Sequence, residues 1–314
     1  MNVPRGVIPA MLTVFNRDGS LDVAGTRAYA EWLIQMGVDG LAPTGSTSEG
    51  VTLSPEEHRS VVAATVEQAS GRVPVFAGIT SYAQDPAVRM AKAAVDAGAD
   101  SLMVLLPFYY QPTIESAMNY VRRVSEAVER PVMVYNNPWF AGIELSPAQI
   151  KQLSDEGIVN SIKAAHGDPM RVTYTKFLCG DAVSVLYGHD YAPLEAFAGG
   201  ADGWLSGFPN IIPDLAVDLF GAVHVEKDLD SARAIWAKIA PLAYYFMYDR
   251  SGSPPAPHWL SVIKHALTLR GVEVGHPRLP AEPLTPEEEA PLAKAMQSIP
   301  TASVAWPPKE LART

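Results

Sequence analysis

The chain alternates short runs of apolar and β-branched residues with longer stretches in which apolar residues recur every three or four positions. The short runs predict β-strands, and the longer amphipathic stretches predict helices. Eight strands are predicted, at residues 7–15, 40–44, 73–79, 101–106, 131–136, 158–164, 184–187 and 203–206. Helices are predicted between them, at residues 22–36, 55–69, 86–97, 114–129 and 147–154.

A short joint from helix to strand recurs along this pattern. Gly37, Gly98 and Gly200 are each followed two positions later by aspartate and then by a predicted strand. Glycine suits the left-handed residue that ends a helix, and an aspartate side chain orders the turn that follows. Three uses of the same joint indicate a repeated β-α unit.

Eight such units within residues 1–227 predict an α/β fold, the (β/α)8 TIM barrel. A doubly wound open sheet is the competing fold, and it usually carries a glycine-rich nucleotide loop after its first strand. Here the first strand is followed by Asn-Arg-Asp-Gly-Ser at residues 16–20, which is a turn and not that fingerprint. The pattern therefore favours the barrel.

The pattern changes after residue 227, where helical periodicity continues without strands. Residues 228–300 are predicted to form a C-terminal helical bundle, with joins rich in proline at 251–257 and 276–280. Residues 301–314 are expected to be a tail that is mobile or bound to a partner.

Composition narrows the class of protein. The 314 residues are 48% hydrophobic with a formal net charge of −10, and no basic run is longer than Arg122-Arg123, so no nucleic-acid partner is expected. The single cysteine, Cys179, cannot form an internal disulfide, which is typical of a reducing compartment. With no visible signal peptide and no apolar run of roughly 20 residues, a cytoplasmic protein without a membrane partner is expected.

Lys163 is the only charged residue of the predicted sixth strand. Such a lysine either extends to water, forms an ion pair, or lies in a dry interior. Burial disfavours the ammonium form, and a neutral amine is a nucleophile that forms Schiff bases with ketones. Catalytic groups of barrels lie at the carboxyl ends of strands, and side chains alternate between interior and helices. This alternation points Val159, Ser161 and Lys163 inward and Ile162 outward.

Three other features follow predicted strands. Tyr135 ends strand five, where its phenol can relay protons or simply pack at the barrel mouth. Residues 43–50, Pro-Thr-Gly-Ser-Thr-Ser-Glu-Gly, follow strand two and form either an ordinary turn or a backbone cradle for a carboxylate. Tyr109 lies in a proline-flanked aromatic loop, residues 107–112, which lines a site, lines an interface or packs.

Taken together, these features resemble the dihydrodipicolinate synthase / N-acetylneuraminate lyase family over roughly residues 5–300. Members of that family are pyruvate-handling class I aldolases and lyases on a (β/α)8 barrel with a C-terminal helical extension. The resemblance implies that Lys163 is the Schiff-base lysine and Tyr135 the proton relay. It further implies that Ser46 and Thr47 bind the carboxylate, with Thr47 also in the relay.

The same resemblance implies substrate contacts for Gly45, Gly188 and His189. It also implies that Tyr109 completes the relay across a dimer interface, so a dimer or tetramer is expected. Phe140 stands where true dihydrodipicolinate synthases carry an arginine for the carboxylate of aspartate semialdehyde, and an aromatic ring cannot form that bidentate pair. Phe140 is therefore expected to contact a different, more apolar second substrate.

The expected activity is a class I lyase or aldolase that joins or cleaves pyruvate, or a related 2-oxo acid, and an aldehyde. The Schiff base on Lys163 replaces a cofactor, and the spacing of His166, His189 and Asp190 fits no metal motif. Two alternatives stay open at this level. One is a Schiff-base dehydratase or hydratase-aldolase for a sugar-acid or aromatic substrate, and the other is a non-catalytic 2-oxo-acid-binding protein.

Overall fold

In the computed structural model, which describes residues 3–250 and 256–308, seven parallel strands curl into the wall of a barrel. Their order around the wall is β1-β7-β6-β5-β4-β3-β2. The strands are β1 (Gly6–Pro9), β2 (Phe76–Ile79), β3 (Ser101–Leu105), β4 (Val132–Asn136), β5 (Val159–Ala164), β6 (Ser184–Tyr187) and β7 (Gly203–Ser206).

Residues 39–43 lie between β1 and β2 and close the barrel. On one side the Ala42 N–H donates to the carbonyl of Pro9 (3.0 Å), and on the other the Phe76 N–H donates to the carbonyl of Leu41 (2.8 Å). The predicted second strand thus occupies the eighth place in the wall, although it forms only an isolated parallel bridge. The (β/α)8 prediction is confirmed.

Helices cover the outside of the wall, as their amphipathic sequences predict. The helices predicted at residues 55–69 and 147–154 begin with capping boxes at Ser54 and Ser146, in which the serine and the residue three positions later satisfy each other's backbone N–H groups. The barrel helices are α1 (Val23–Gln35), α2 (Pro55–Ala69), α3 (Gln84–Asp96), α4 (Ile114–Val128), α5 (Pro138–Ala141), α6 (Pro147–Asp155), α7 (Met170–Cys179), α8 (Pro193–Ala198), α9 (Phe208–Ile211) and α10 (Pro213–Gly221).

Three further helices follow the barrel: α11 (Leu229–Tyr244), α12 (Trp259–Leu269) and α13 (Pro286–Ala295). A π-helical turn, Tyr245–Asp249, extends α11. The first proline-rich join lies mostly outside the described residues, since these exclude 251–255. Within the described part of the chain, no helix is long and apolar enough to span a bilayer.

The described part of the tail contacts the barrel. The indole N–H of Trp32 on α1 donates to the carbonyl of Val304 (3.0 Å), and the Trp306 ring lies 6.3 Å from the Tyr29 ring. Residues 309–314 of the predicted tail lie outside the described residues. The predicted boundaries after residues 227 and 300 stay predictions.

A bulge in β5 changes the expected orientation of one side chain. Val132 of β4 pairs with Val159, whereas the next residue, Met133, pairs with Ser161, so the register passes over Asn160. Because one extra residue reverses the alternation, Val159 packs in the helix-side core beside Ile162. The predicted inward position of Val159 is wrong, while Ile162 lies on the helix side as predicted.

Candidate active site

A cavity of about 390 Å³ opens at the carboxyl ends of the strands, where barrel enzymes hold their catalytic groups. Loops after several strands and the C-terminal helices contribute to its wall. The lining residues are Thr47, Tyr135, Asn137, Trp139, Phe140, Lys163, Ala165, Gly188, His189, Asp190, Tyr191, Ser206, Gly207, Phe246, Arg250, Trp259 and Ile263.

Lys163 reaches this cavity from β5 and is only 3% exposed. Its backbone pairs with Tyr135 on β4, and its Nζ lies 4.1 Å from the centroid of the Tyr135 ring. Gly188 makes room for the lysine stem, because a Cβ at that position would lie 2.7 Å from Lys163 Cγ. The aromatic face and the bare backbone together hold the amine at the cavity floor.

Tyr135 is held by a residue that sequence reasoning missed. The side-chain amide of Asn137 donates to the phenolic oxygen of Tyr135 (3.0 Å). Its carbonyl oxygen accepts from the N–H groups of Trp139 and Phe140, which caps α5. An asparagine directly before a proline at a helix start is a capping signal that could have identified Asn137.

The loop formed by residues 44–50 brings the small residues of strand two to the cavity. Thr44 and Glu49 both adopt the left-handed conformation with φ of 59°, which is rare for residues other than glycine and typical of functional loops. Gly78 on β2 permits this path, because a Cβ there would lie 2.5 Å from the Gly45 nitrogen. The Gly50 N–H closes the loop by donating to the carbonyl of Gly45 (3.0 Å).

The two residues of this loop that are expected to bind the substrate carboxylate, Ser46 and Thr47, line two adjoining cavities. Thr47 is buried and lines the cavity that contains Lys163. Ser46 lines a neighbouring, mostly apolar cavity of about 350 Å³, which shares Phe140 and Trp259 with the first. The Ser46–Thr47 pair therefore lies on the boundary between the two cavities.

A buried ion pair fixes the 44–50 loop to the C-terminal helices. Lys264 of α12 lies 2.8 Å from Glu49 Oε1, and their side chains are 2% and 1% exposed. The Lys264 ammonium also donates to the carbonyls of Thr13 (3.0 Å) and His276 (3.1 Å), and the Arg278 N–H donates to Glu49 Oε2 (2.7 Å). Burial lowers the pKa of Lys264, and the opposing Glu49 charge favours its protonated form.

Ser48 is fully buried in the same loop. Its hydroxyl donates to the carbonyl of Met11, and its own carbonyl accepts from the Thr13 hydroxyl (2.7 Å). The Ser48 hydroxyl is thus hydrogen-bonded, as a buried polar group requires.

Two half-buried titratable groups, Asp190 and His189, line the same cavity as Lys163. Burial raises the pKa of Asp190 to about 6, and one of its oxygens accepts from the Phe208 N–H (3.0 Å). Burial, with smaller contributions from His166 and Lys163, lowers the pKa of His189 to about 4. The His189 Nδ1 accepts from the Asp190 N–H (3.0 Å), which leaves Nε2 as the donor of a neutral ring.

The two histidines should make stability depend on pH. Burial also lowers the pKa of His166 to about 4, so both rings stay neutral in the fold while the unfolded chain protonates near pH 6.5. Their contribution is present above pH 6.5 and is lost as pH falls toward 4. We expect each to reduce the free energy of unfolding by about 2 kcal/mol at pH 5 relative to pH 7.

Urea titrations of the wild type, His166→Asn and His189→Asn at fixed protein concentration measure this effect. In each variant the free energy of unfolding should decrease less between pH 7 and pH 5 than it does in the wild type. Asp190, whose raised pKa acts in the opposite direction, is present in all three proteins and cancels in the comparison. Parallel pH profiles for wild type and variants would show that the rings protonate in the folded state.

Tyr109 is not brought to the cavity of its own chain. It is 71% exposed, and its ring lies 4.8 Å from that of Tyr110 and 5.8 Å from that of Tyr82. Gly45 lies in the 44–50 loop and is not among the residues that line the cavity. Among the described residues, no group of three His, Cys, Asp or Glu side chains is arranged to hold a metal ion.

The remaining predicted residues meet at the cavity: Lys163, Tyr135, Thr47, Phe140, Gly188 and His189. Asp190 also lies there, whereas His166 is absent from the lining. No sequence pattern indicated the contributions of the helical bundle, because Phe246, Arg250 and Trp259 reach the cavity only through tertiary packing.

The fold and the site define a (β/α)8-barrel enzyme of the class I aldolase and lyase type. Residues 3–299 match the model of the dihydrodipicolinate synthetase family, and the chain belongs to that family. It is 34% identical to the 4-hydroxy-tetrahydrodipicolinate synthase of Acidiphilium cryptum (strain JF-5) over 294 residues, which cover 94% of this chain and 98% of the relative.

Solved structures show the same likeness. The chloride-inhibited dihydrodipicolinate synthase of Acinetobacter baumannii, complexed with pyruvate, is 31% identical with a TM-score of 0.84 and covers 94% of this chain and 98% of its own. YagE from E. coli K12, a prophage protein of the dihydrodipicolinic acid synthase family in complex with pyruvate, is 30% identical with a TM-score of 0.86 and the same coverage.

Proposed function

We propose that the chain is a lyase or aldolase that forms a Schiff base between Lys163 and pyruvate or a related 2-oxo acid. The observation that carries this proposal is the buried Lys163 amine, 4.1 Å from the ring centroid of Tyr135 at the floor of the cavity. The pyruvate complexes of two structural relatives support pyruvate as the 2-oxo acid.

The Lys163 amine attacks the C2 ketone, and the resulting carbinolamine loses water to give a protonated imine. Tyr135 delivers the proton that leaves with the water, and Thr47 shares that relay. The imine then accepts the electron pair released when a C3 proton is removed, which gives an enamine. Attack of the enamine on an aldehyde forms the new carbon–carbon bond, hydrolysis frees the product, and the reverse sequence cleaves it.

The other candidate residues surround this chemistry. The 44–50 loop presents backbone N–H groups near Gly45 and the hydroxyls of Ser46 and Thr47 to the 2-oxo-acid carboxylate. Gly188 leaves space for Lys163 and its adduct. The neutral His189 offers a hydrogen bond from Nε2, and Phe140 contacts the second substrate.

The Tyr135→Phe variant should retain its fold and lower kcat by about 100- to 10,000-fold, because the proton relay is lost while the ring remains. Asn137 loses one hydrogen bond in this variant. Tyr187→Phe is the matched control: that phenol is also buried and donates to the carbonyl of Gly167 (2.9 Å), but its ring packs in the helix-side core. Steady-state turnover of both variants measures the difference, and equal losses would contradict a relay role.

A second candidate function has one observation in its favour. The neighbouring apolar cavity of about 350 Å³ is lined by Phe108, Phe140 and Trp259 and could hold the ring of an aromatic substrate. This favours a hydratase-aldolase, with a sugar-acid dehydratase as the related alternative. A panel of aldol adducts and sugar acids, scored by pyruvate release, distinguishes an aldolase from a dehydratase, which releases none.

We propose further that the enzyme needs no metal or other cofactor, since the imine itself is the electron sink. We also propose a homo-oligomer, dimeric or tetrameric. Tyr109 and the aromatic rings around it are exposed and lie outside the cavity of their own chain, so Tyr109 can line a cavity only if a second subunit packs against it. A cytoplasmic location completes the proposal, with a 2-oxo acid and an aldehyde as its small-molecule partners and no nucleic acid or membrane.

A further inference from the structure

The catalytic cavity contains a cation that the proposed chemistry does not use. Its charged lining residues are Lys163, Asp190 and Arg250. Lys163 becomes the imine, and Asp190 is half-buried and accepts from the Phe208 N–H. Arg250 follows the π-helical turn of the C-terminal bundle, and the proposed mechanism gives it no function.

Arg250 is held in place but not satisfied. Its Nη1 donates to the carbonyl of Pro257 (3.2 Å), and its guanidinium carbon lies 5.7 Å from the centroid of the Phe246 ring. Its Nε is buried and has no hydrogen-bond partner, and the guanidinium forms no ion pair with a carboxylate of the described residues. A guanidinium has five N–H donors in a fixed plane. The buried Nε–H donor of Arg250, which has no partner, therefore calls for an explanation.

Aromatic rings flank the rest of the cavity. Trp139 and Phe140 line it from α5, which follows β4, and Phe246 and Trp259 line it from the bundle. These surfaces suit a carbon chain or ring and offer no positive charge to a carboxylate. At position 140, α5 thus offers no cation, and the bundle supplies one instead.

We propose that Arg250 binds a carboxylate on the second substrate, so that the enzyme acts on aldehydes bearing an acid group. This rests on the proposed Schiff-base function. The 2-oxo-acid carboxylate lies at the 44–50 loop, the aldehyde carbon meets the enamine at Lys163, and the distal carboxylate forms a planar, charge-assisted pair with Arg250. Arg250 is in this sense a specificity residue.

The test uses pairs of aldehydes of matched shape, condensed with pyruvate: succinic semialdehyde against butanal, and 4-carboxybenzaldehyde against 4-methylbenzaldehyde. The wild type should favour the acidic aldehyde of each pair by about 100-fold in kcat/KM. The neutral aldehyde offers no carboxylate, so the Arg250 guanidinium stays unpaired when that aldehyde binds. Arg250→Gln should lose about 100-fold with acidic aldehydes and change little with neutral ones, while Arg250→Lys should retain part of the preference.

Two controls separate this inference from others. Arg233→Gln removes an exposed arginine of α11 and should leave the preference unchanged, which excludes a long-range charge effect. Borohydride trapping with pyruvate in each variant reports on the Schiff base independently. Loss of the trapped adduct in the wild type would overturn the proposed function itself. An intact adduct with equal use, or no use, of acidic aldehydes would overturn the role of Arg250 alone, as would equal losses in Arg250→Gln with both members of a pair.

Discussion

Replacement of Lys163 by methionine should lower kcat by at least about 1,000-fold, because the imine has no other nucleophile to form on. Methionine is unbranched and can follow the lysine stem past Gly188, so the cavity floor should keep its packing. The loss should appear in kcat rather than in KM alone, since the covalent intermediate itself is removed. Steady-state kinetics of the cleavage and condensation reactions measure it.

Lys92→Met is the control for this substitution, since Lys92 is exposed on α3 and lies outside the cavity lining. Circular dichroism and thermal unfolding show whether each variant retains the fold. A folded Lys163→Met variant with wild-type turnover would show that the chemistry proceeds without the imine.

Replacement of Lys264 by methionine should destabilise the fold by about 3–5 kcal/mol, because Glu49 is left as an unpaired charge in the interior. It should also raise KM for the 2-oxo acid by about tenfold or more. Glu49 is part of the 44–50 loop, and its N–H donates to the carbonyl of Ser46 (3.0 Å). A shift of Glu49 should therefore displace Ser46 and Thr47, which are proposed to bind the carboxylate of the 2-oxo acid. Urea unfolding and kinetics with varied pyruvate measure the two effects.

Arg270→Met is a matched control at the end of the same helix. Arg270 is equally buried and pairs with Asp214 of α10 at 2.8 Å, but it makes no contact with the 44–50 loop. It should lose stability while keeping its KM. The double variant Glu49→Gln/Lys264→Met should recover part of the stability lost by Lys264→Met, since neither charge is then left alone. An unchanged KM in a folded Lys264→Met variant would contradict the positioning role.

The barrel could be predicted from the sequence because its β-α units repeat a local pattern. The structure departs from that prediction where a neighbouring strand decides the outcome. Residues 40–44 were predicted as a strand, yet Thr44 turns into the left-handed region and leaves only a bridge at Leu41. The bulge at Asn160 depends on the register with β4, so alternation within β5 could not reveal that Val159 faces the helices.

The candidate site divides in the same way. Lys163, Tyr135 and Thr47 could be predicted because the carboxyl ends of parallel strands converge at one rim. Lys264 and Arg250 could not, since they lie 101 and 87 positions along the chain from Lys163, in segments with no local sign of a site. Only the packing of the bundle against the barrel brings them to the 44–50 loop and the cavity.

The central claim is that Lys163 forms an imine with a 2-oxo acid, and reduction with borohydride tests it most directly. The wild type is incubated with saturating pyruvate, reduced, digested and examined by mass spectrometry, with Lys163→Met and a sample without pyruvate alongside. We expect the peptide that contains Lys163 to gain one N-linked 1-carboxyethyl group, and we expect this gain only in the wild-type sample that contains pyruvate. An unmodified Lys163 under saturating pyruvate, or an adduct on another lysine that persists in Lys163→Met, would contradict the account.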